Sequence, residues 1–176
     1  MKTVRTRAVL FSIAFFLAYF STLANGFFSE PMKDYTLQTL YIFNFAKYVE
    51  WPTATRSIKI GVVGNTSAED HLVKVAKAKS SAGVEINVIN SLNESDLGSC
   101  QIIFVPVNNT KLADQLIENF NNRPILIVTE EADFTQKGAC VSFKIVSGKL
   151  RFQINEEAIK SRGLKVSGAL SSLAEK

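Results

Sequence analysis

Residues 100–106 read CQIIFVP and residues 124–129 read PILIVT, with TKLADQLIENF at 110–120 between them. The outer stretches are short, unbroken apolar runs, the pattern of a strand buried on both faces inside a parallel sheet. The middle stretch puts Leu112, Leu116 and Phe120 at helical spacing on one face. Parallel strands need crossover connections, and a sheet built from helical crossovers carries helices on both faces.

The same alternation extends upstream. IKIGVVG (58–64) reads as a strand, Ser67 to Lys79 as a helix turning Leu72, Val75 and Ala76 inward, and VEINVIN (84–90) as another strand. Downstream, ACVSFKIVSGKLRFQIN (139–155) holds two alternating runs around Ser147-Gly148, a β-hairpin with Gly148 supplying the positive φ. Glu156 to Arg162 reads as a short helix stopped by Gly163, and LKVSGALSSLAEK (164–176) as a brief extended stretch and a terminal helix. Ahead of the first strand, YIFNFAKYVEWP (41–52) ends a helix that starts at Asp34, its N-cap or first-turn acid, and stops near Glu50 because Pro52 disfavours helix at Trp51. Leu37, Leu40, Tyr41, Asn44, Phe45 and Tyr48 share one face. Ile42, Phe43, Ala46 and Val49 fill much of the rest, which predicts burial on more than one side. The predicted fold class is α/β: a Rossmann-like, mostly parallel sheet flanked by helices on both faces, in the order 2-1-3-4-5, with a C-terminal β-hairpin.

The N-terminus is set apart by composition. Lys2, Arg5 and Arg7 precede the apolar run AVLFSIAFFLAYF (8–20), and STLANG follows. That is a signal peptide, residues 1–26, cleaved near residue 24 or 26, since a spanning anchor needs about 20 apolar residues. Residues 27–176 then form a single domain, long enough to bury a core without staples. Removing the leader leaves 17 basic against 16 acidic residues, a net charge of +1. A nucleic-acid-binding reading, which needs a basic face, loses its support. The expected location is the periplasm, without direct membrane insertion once the leader is gone.

No catalytic constellation stands out, and no cofactor or metal is expected. The turn GVVGNTS (61–67) enters a helix, where a phosphate can meet helix N–H groups, but neither the dinucleotide fingerprint nor the P-loop pattern is present. The plain reading is a tight turn with Thr66 or Ser67 as cap. His71 is the sole histidine and follows Glu69 and Asp70, which suggests a solvated side chain rather than a base or ligand. Glu130, Glu131, Asp133, Glu156 and Glu157 sit at loop or helix starts, where acids suit the helix dipole.

Cys100 and Cys140 open two strands that the predicted order separates by one strand. Two strand spacings amount to roughly 9.5–10 Å, against the roughly 7 Å limit for a disulfide, so a Cys100–Cys140 bond is not expected.

YIFNFAKYVEWP (41–52), IGVVG (60–64), CQIIFV (100–105), PILIVT (124–129) followed by ADF (132–134), GACVSF (138–143), LRFQIN (150–155) with Ala158, and GLKVS (163–167) with LSSLA (170–174) occur in order along nearly the whole mature chain. Together they resemble the YfiR-like family of exported bacterial proteins. The resemblance implies a periplasmic Rossmann-like domain without known catalysis, which binds the periplasmic sensor region of a membrane-bound diguanylate cyclase and so restrains cyclic di-GMP synthesis and biofilm formation. It also implies a homodimer. In the namesake of the family that this chain resembles, four cysteines form two disulfides, one of which joins the first and third strands. Here Cys100 holds the third-strand position, but IKIGVVG offers no partner and Cys140 has no second cysteine in the hairpin, so redox control does not carry over.

The leading expectation is therefore a regulatory binding protein, not an enzyme. Its interface candidates are Phe152, Glu157, Arg162, Leu164 and Val166, on segments that come last in the fold and form an edge. The alternative is a small-ligand sensor or carrier, using the crevice at the carboxyl ends of the strands, where Asn65, Thr66, Pro106, Asn108, Asn109, Glu130 and Glu131 would stand. A hydrolase has no nucleophile–base pair to point to.

Overall fold

The computed structural model describes residues 34–53, 57–79 and 85–175; the expected signal peptide lies outside the described residues. The chain opens with α1 (Thr36–Tyr48), runs directly into the short strand β1 (Val49–Glu50), and then enters the alternating region of β2 (Ser57–Val63), α2 (Thr66–Lys79), β3 (Glu85–Ser91), α3 (Glu94–Leu97), β4 (Ile102–Val105), α4 (Thr110–Asn119) and β5 (Leu126–Thr129). The hairpin strands β6 (Val141–Val146) and β7 (Lys149–Ile154) follow, then α5 (Glu156–Ser161), β8 (Lys165–Val166) and α6 (Gly168–Ser171).

The six-stranded sheet has the order β3-β2-β4-β5-β6-β7, parallel from β3 to β6 and closed by the antiparallel β6–β7 pair. In order of appearance this is the expected 2-1-3-4-5 arrangement, extended by the second hairpin strand. The short strand β8 does not join that sheet. It pairs with β1 in a separate antiparallel ribbon, Val49 opposite Val166 and Glu50 opposite Lys165.

Alternating residues of the same strands feed two cores. Ile60, Val62, Ile102, Phe104, Leu126, Val128, Val141, Phe143 and Phe152 share one core with α1 and α2. Val63, Ile103, Val105, Ile125 and Ile127 share the other with Leu116, Ile117 and Phe120 from the α4 side. The runs that looked continuous in sequence are buried on both faces because each face meets its own helices. Gly61 lets α3 approach the sheet: a Cβ there would lie 2.8 Å from Leu97 Cδ2 and 3.0 Å from Cys100 Sγ.

Helix α1 corrects the expected burial. Leu37, Leu40, Asn44 and Tyr48 face solvent, whereas Tyr35, Gln38, Thr39, Ile42, Phe43, Phe45 and Val49 turn inward. Two polar side chains, Gln38 and Thr39, take inward positions that hydrophobicity alone would give to leucines. Gln38 finds a partner there, and a hydrogen-bonded polar group is buried at little cost. The aromatic segment supplies Phe45 and Tyr41 to a cluster with Phe143 and Phe152, including edge-on contacts of Phe152 at 5.1 Å to Tyr41 and 5.2 Å to Phe45.

Cys100 and Cys140 are free and buried. Cys100 belongs to the core on the α4 side and Cys140 to the core on the α1 side. Burial pushes both thiols above their ordinary range, against the opposing pull of Lys59 on Cys100 and Arg162 on Cys140.

Candidate functional site

The carboxyl edge of the parallel strands is the natural place to look for a ligand in such a sheet. There β2 ends at Gly64-Asn65 and β5 at Glu130, and the N-terminal turn of α1 reaches across both. The Tyr35 hydroxyl donates to Glu130 Oε2 (3.3 Å) and accepts from Asn65 Nδ2 (3.3 Å). Gln38 Nε2 donates to Glu130 Oε1 at 3.5 Å, and the Val107 amide donates to Glu130 Oε2 at 2.9 Å. Asn65 Oδ1 caps α2 by accepting from the Ala68 amide at 3.0 Å, while Asn109 Nδ2 donates to the Val63 carbonyl at 2.8 Å. Tyr35 is buried, and that burial, followed by the charge of Glu130, raises its hydroxyl far above the usual tyrosine range. Tyr35 is thus a neutral donor, and Glu130, Gln38, Asn65 and Asn109 tie the chain to itself. Of the residues suggested for a ligand crevice, Asn65, Asn109 and Glu130 are brought together here, Pro106 is buried, and Asn108 and Glu131 are exposed.

His71 belongs to the same region. Its Nδ1 lies 2.9 Å from the Ser67 carbonyl and its Nε2 3.3 Å from Asp34 Oδ1, with its ring edge-on to Tyr35 at 6.4 Å. It is therefore partly buried and set between two acceptors rather than freely solvated. It clips the chain ahead of α1 to α2.

The five interface candidates separate by burial. Phe152 lies in the aromatic cluster and Leu164 in the same core, each 2% exposed or less. Arg162 is 3% exposed: its Nη1 donates to the Ala158 carbonyl at 3.0 Å and its Nη2 to the Ile117 carbonyl at 3.2 Å, while Nε has no partner. Both carbonyls belong to the last turns of helices, α5 and α4, where a cation is favoured. Phe152, Arg162 and Leu164 are thus interior residues, and the side chains they were expected to present outward hold elements together instead. Val166 is half-buried in the ribbon with β1, and Glu157 is exposed. Glu157 and Glu156 stand on the lip of a groove of about 400 Å³ lined also by Thr135, Gln136, Ile154 and Asn155.

Tyr35 and Gln38, which organise the carboxyl edge, are not among the residues that the sequence singles out. The available signal was the series Tyr35, Gln38, Ile42, Phe45, Val49, which has helical spacing as good as that of the stripe chosen. Among the described residues, no group of three or more His, Cys, Asp or Glu side chains is placed to hold a metal ion, and no helix is long and apolar enough to cross a membrane.

The fold and this edge define a class: a doubly wound α/β domain whose strand ends are tied to the start of the first helix through Tyr35, Gln38, Asn65 and Glu130. The match to the YfiR/HmsC-like family model runs over residues 35–175, and the chain belongs to that family. It is a family of periplasmic regulators of diguanylate cyclase and not of known enzymes. No curated protein matches the chain. Among solved structures, it is similar to a conserved domain protein from Vibrio cholerae O1 biovar eltor str. N16961, with a TM-score of 0.51 and 16% identity, over 79% of this chain and 58% of that one. It is also similar to an ABC domain in complex with L-Trp from Streptococcus pneumonia, with a TM-score of 0.48 and 12% identity, over 66% of this chain and 54% of that one. The chain spans little more than half the length of either solved chain.

Proposed function

We propose that this chain is a periplasmic binding protein that restrains a membrane-bound diguanylate cyclase by occupying its periplasmic sensor region, and so lowers cyclic di-GMP and biofilm formation. The observation that carries this reading is the family match over residues 35–175. The leader pattern of residues 1–26 supports export, and the hydrogen bonds that engage Tyr35, Gln38, Asn65 and Glu130 support a rigid binding domain over a reaction centre. Restraint follows from preferential binding: a protein that binds the inactive conformer of a receptor better than the active one shifts the population toward it, by no more than that difference in affinity.

Deleting the gene and measuring cyclic di-GMP tests the reading. The level rises on deletion, and the full-length chain restores it, whereas a chain lacking residues 1–26 does not. An unchanged level, with no cyclase recovered by crosslinking, sinks it.

A further inference from the structure

We propose that the β6–β7 hairpin is a cationic, amphipathic arm that docks on an anionic phospholipid surface. This goes beyond the regulatory reading, and the two fail in separate experiments.

Residues 143–152 read FKIVSGKLRF, with Lys144, Lys149 and Arg151 and no acid. Lys144 and Arg151 are direct partners in the antiparallel ladder. Like charges directly opposite each other destabilise a sheet. Among the described residues, neither is in an ion pair. On the other face of the arm, Ile145 is paired with Leu150 and is 67% exposed. Leu150 still packs against the core that buries Phe143 and Phe152, whereas Ile145 opposite it is left uncovered. An arm with an unpaired cationic pair on one face and an uncovered isoleucine on the other is unfavourable in water on both counts.

The geometry favours a lipid interface over a protein surface. A flat protein surface covers one face of a two-stranded arm and leaves the other as it was. A headgroup layer surrounds whatever enters it, so it takes up Ile145 at its apolar depth while phosphates meet Lys144 and Arg151. The ladder runs to Val146 opposite Lys149, where a tight turn at Ser147 (φ 50°) and Gly148 (φ 73°) closes it, and β7 is the edge of the sheet, so the arm lies at headgroup depth, where water reaches its outer backbone groups. Leu150 turns its carbonyl outward, and the Tyr41 hydroxyl donates to it at 3.4 Å. On α1, Leu37 and Leu40 are also exposed, at 54% and 42%. The contact is peripheral, and nothing in it spans the bilayer.

The chain, purified in the form recovered from the periplasm, is sedimented with mixed phosphatidylglycerol–phosphatidylethanolamine vesicles and with phosphatidylcholine vesicles. It sediments with the anionic vesicles only, less so as salt rises. Each cation near an anionic surface is worth about fivefold in affinity, so Lys144→Gln with Arg151→Gln weakens binding about 30-fold. Ile145→Ser weakens it about tenfold. Lys144→Glu separates binding from folding: it places an acid opposite Arg151, so the melting temperature holds or rises while vesicle binding falls. Failure to bind the anionic vesicles at low salt overturns the proposal, as does binding that these substitutions leave unchanged. If the wild-type chain ignores vesicles but the same substitutions weaken its binding to a purified cyclase sensor region, the arm is a protein interface and the lipid assignment is wrong.

Discussion

Phe152→Ala separates the two roles that sequence and structure give this residue. On the surface of a binding protein, truncating a phenylalanine costs little stability and much affinity. In the structure Phe152 is 1% exposed, and its ring is edge-on to Tyr41 at 5.1 Å and to Phe45 at 5.2 Å. Cutting a buried phenylalanine to alanine costs about 3–5 kcal/mol in lost transfer energy and residual cavity. Each aromatic pair adds about 0.5–1.5 kcal/mol beyond area, and two are lost, so the cost belongs in the upper half of that range, about 4 kcal/mol. At about 2–4 °C per kcal/mol for a domain of this size, the melting temperature falls by about 8–16 °C. Urea unfolding followed by far-ultraviolet circular dichroism measures it, with the midpoint moving and the slope unchanged. Phe152→Leu, which refills much of the volume, recovers more than half of the loss. A cost below about 1 kcal/mol refutes the packing argument, because no well-packed interior phenylalanine is that cheap to remove.

Arg162→Ala leaves the Ile117 carbonyl without this donor and the Ala158 carbonyl with the Ser161 hydroxyl, and costs about 2–5 kcal/mol in the same assay, whereas a surface arginine costs under about 0.5 kcal/mol. Stability also declines in alkali. Both thiols have folded values above their unfolded ones, so the native state keeps protons that the unfolded chain releases. Their contribution is full at neutral pH and is lost as pH rises past about 9, with Tyr35 adding to the loss beyond about pH 10. Cys140→Ala flattens the curve over that range. Ser147→Asn stabilises the hairpin by about 0.5 kcal/mol, because asparagine tolerates the left-handed conformation that Ser147 adopts at φ 50°.

The sheet was legible because its evidence is local and repeated. IIFV is apolar at every position and LIVT at all but its closing Thr129, and short runs of that kind between turn signals read as strands covered on both faces. The hairpin announced itself through Ser147-Gly148 between alternating segments. The inner face of α1 was not legible, because that helix is apolar around most of its circumference and the period cannot choose between Leu37-Leu40-Tyr48 and Tyr35-Ile42-Val49. The choice was made by partners distant in sequence, Glu130 and Asn65, which take the polar groups of Tyr35 and Gln38 at the strand ends. Arg162 misled for a related reason. A charged side chain reads as surface unless two helix C-termini converge on it, and convergence is a property of the fold. Helix α3 is a single turn carrying one buried side chain, Leu97, too short to show a period.

The central claim is that the exported chain acts on the periplasmic side of a membrane-bound cyclase. The most direct test adds the purified chain to right-side-out membrane vesicles from the deletion strain, loaded with GTP, and measures cyclic di-GMP formed inside. Synthesis is expected to fall saturably with added chain, and vesicles from which the sensor region of the cyclase has been deleted are expected to be unaffected. Synthesis that stays constant at every concentration, or that falls equally without the sensor region, contradicts it.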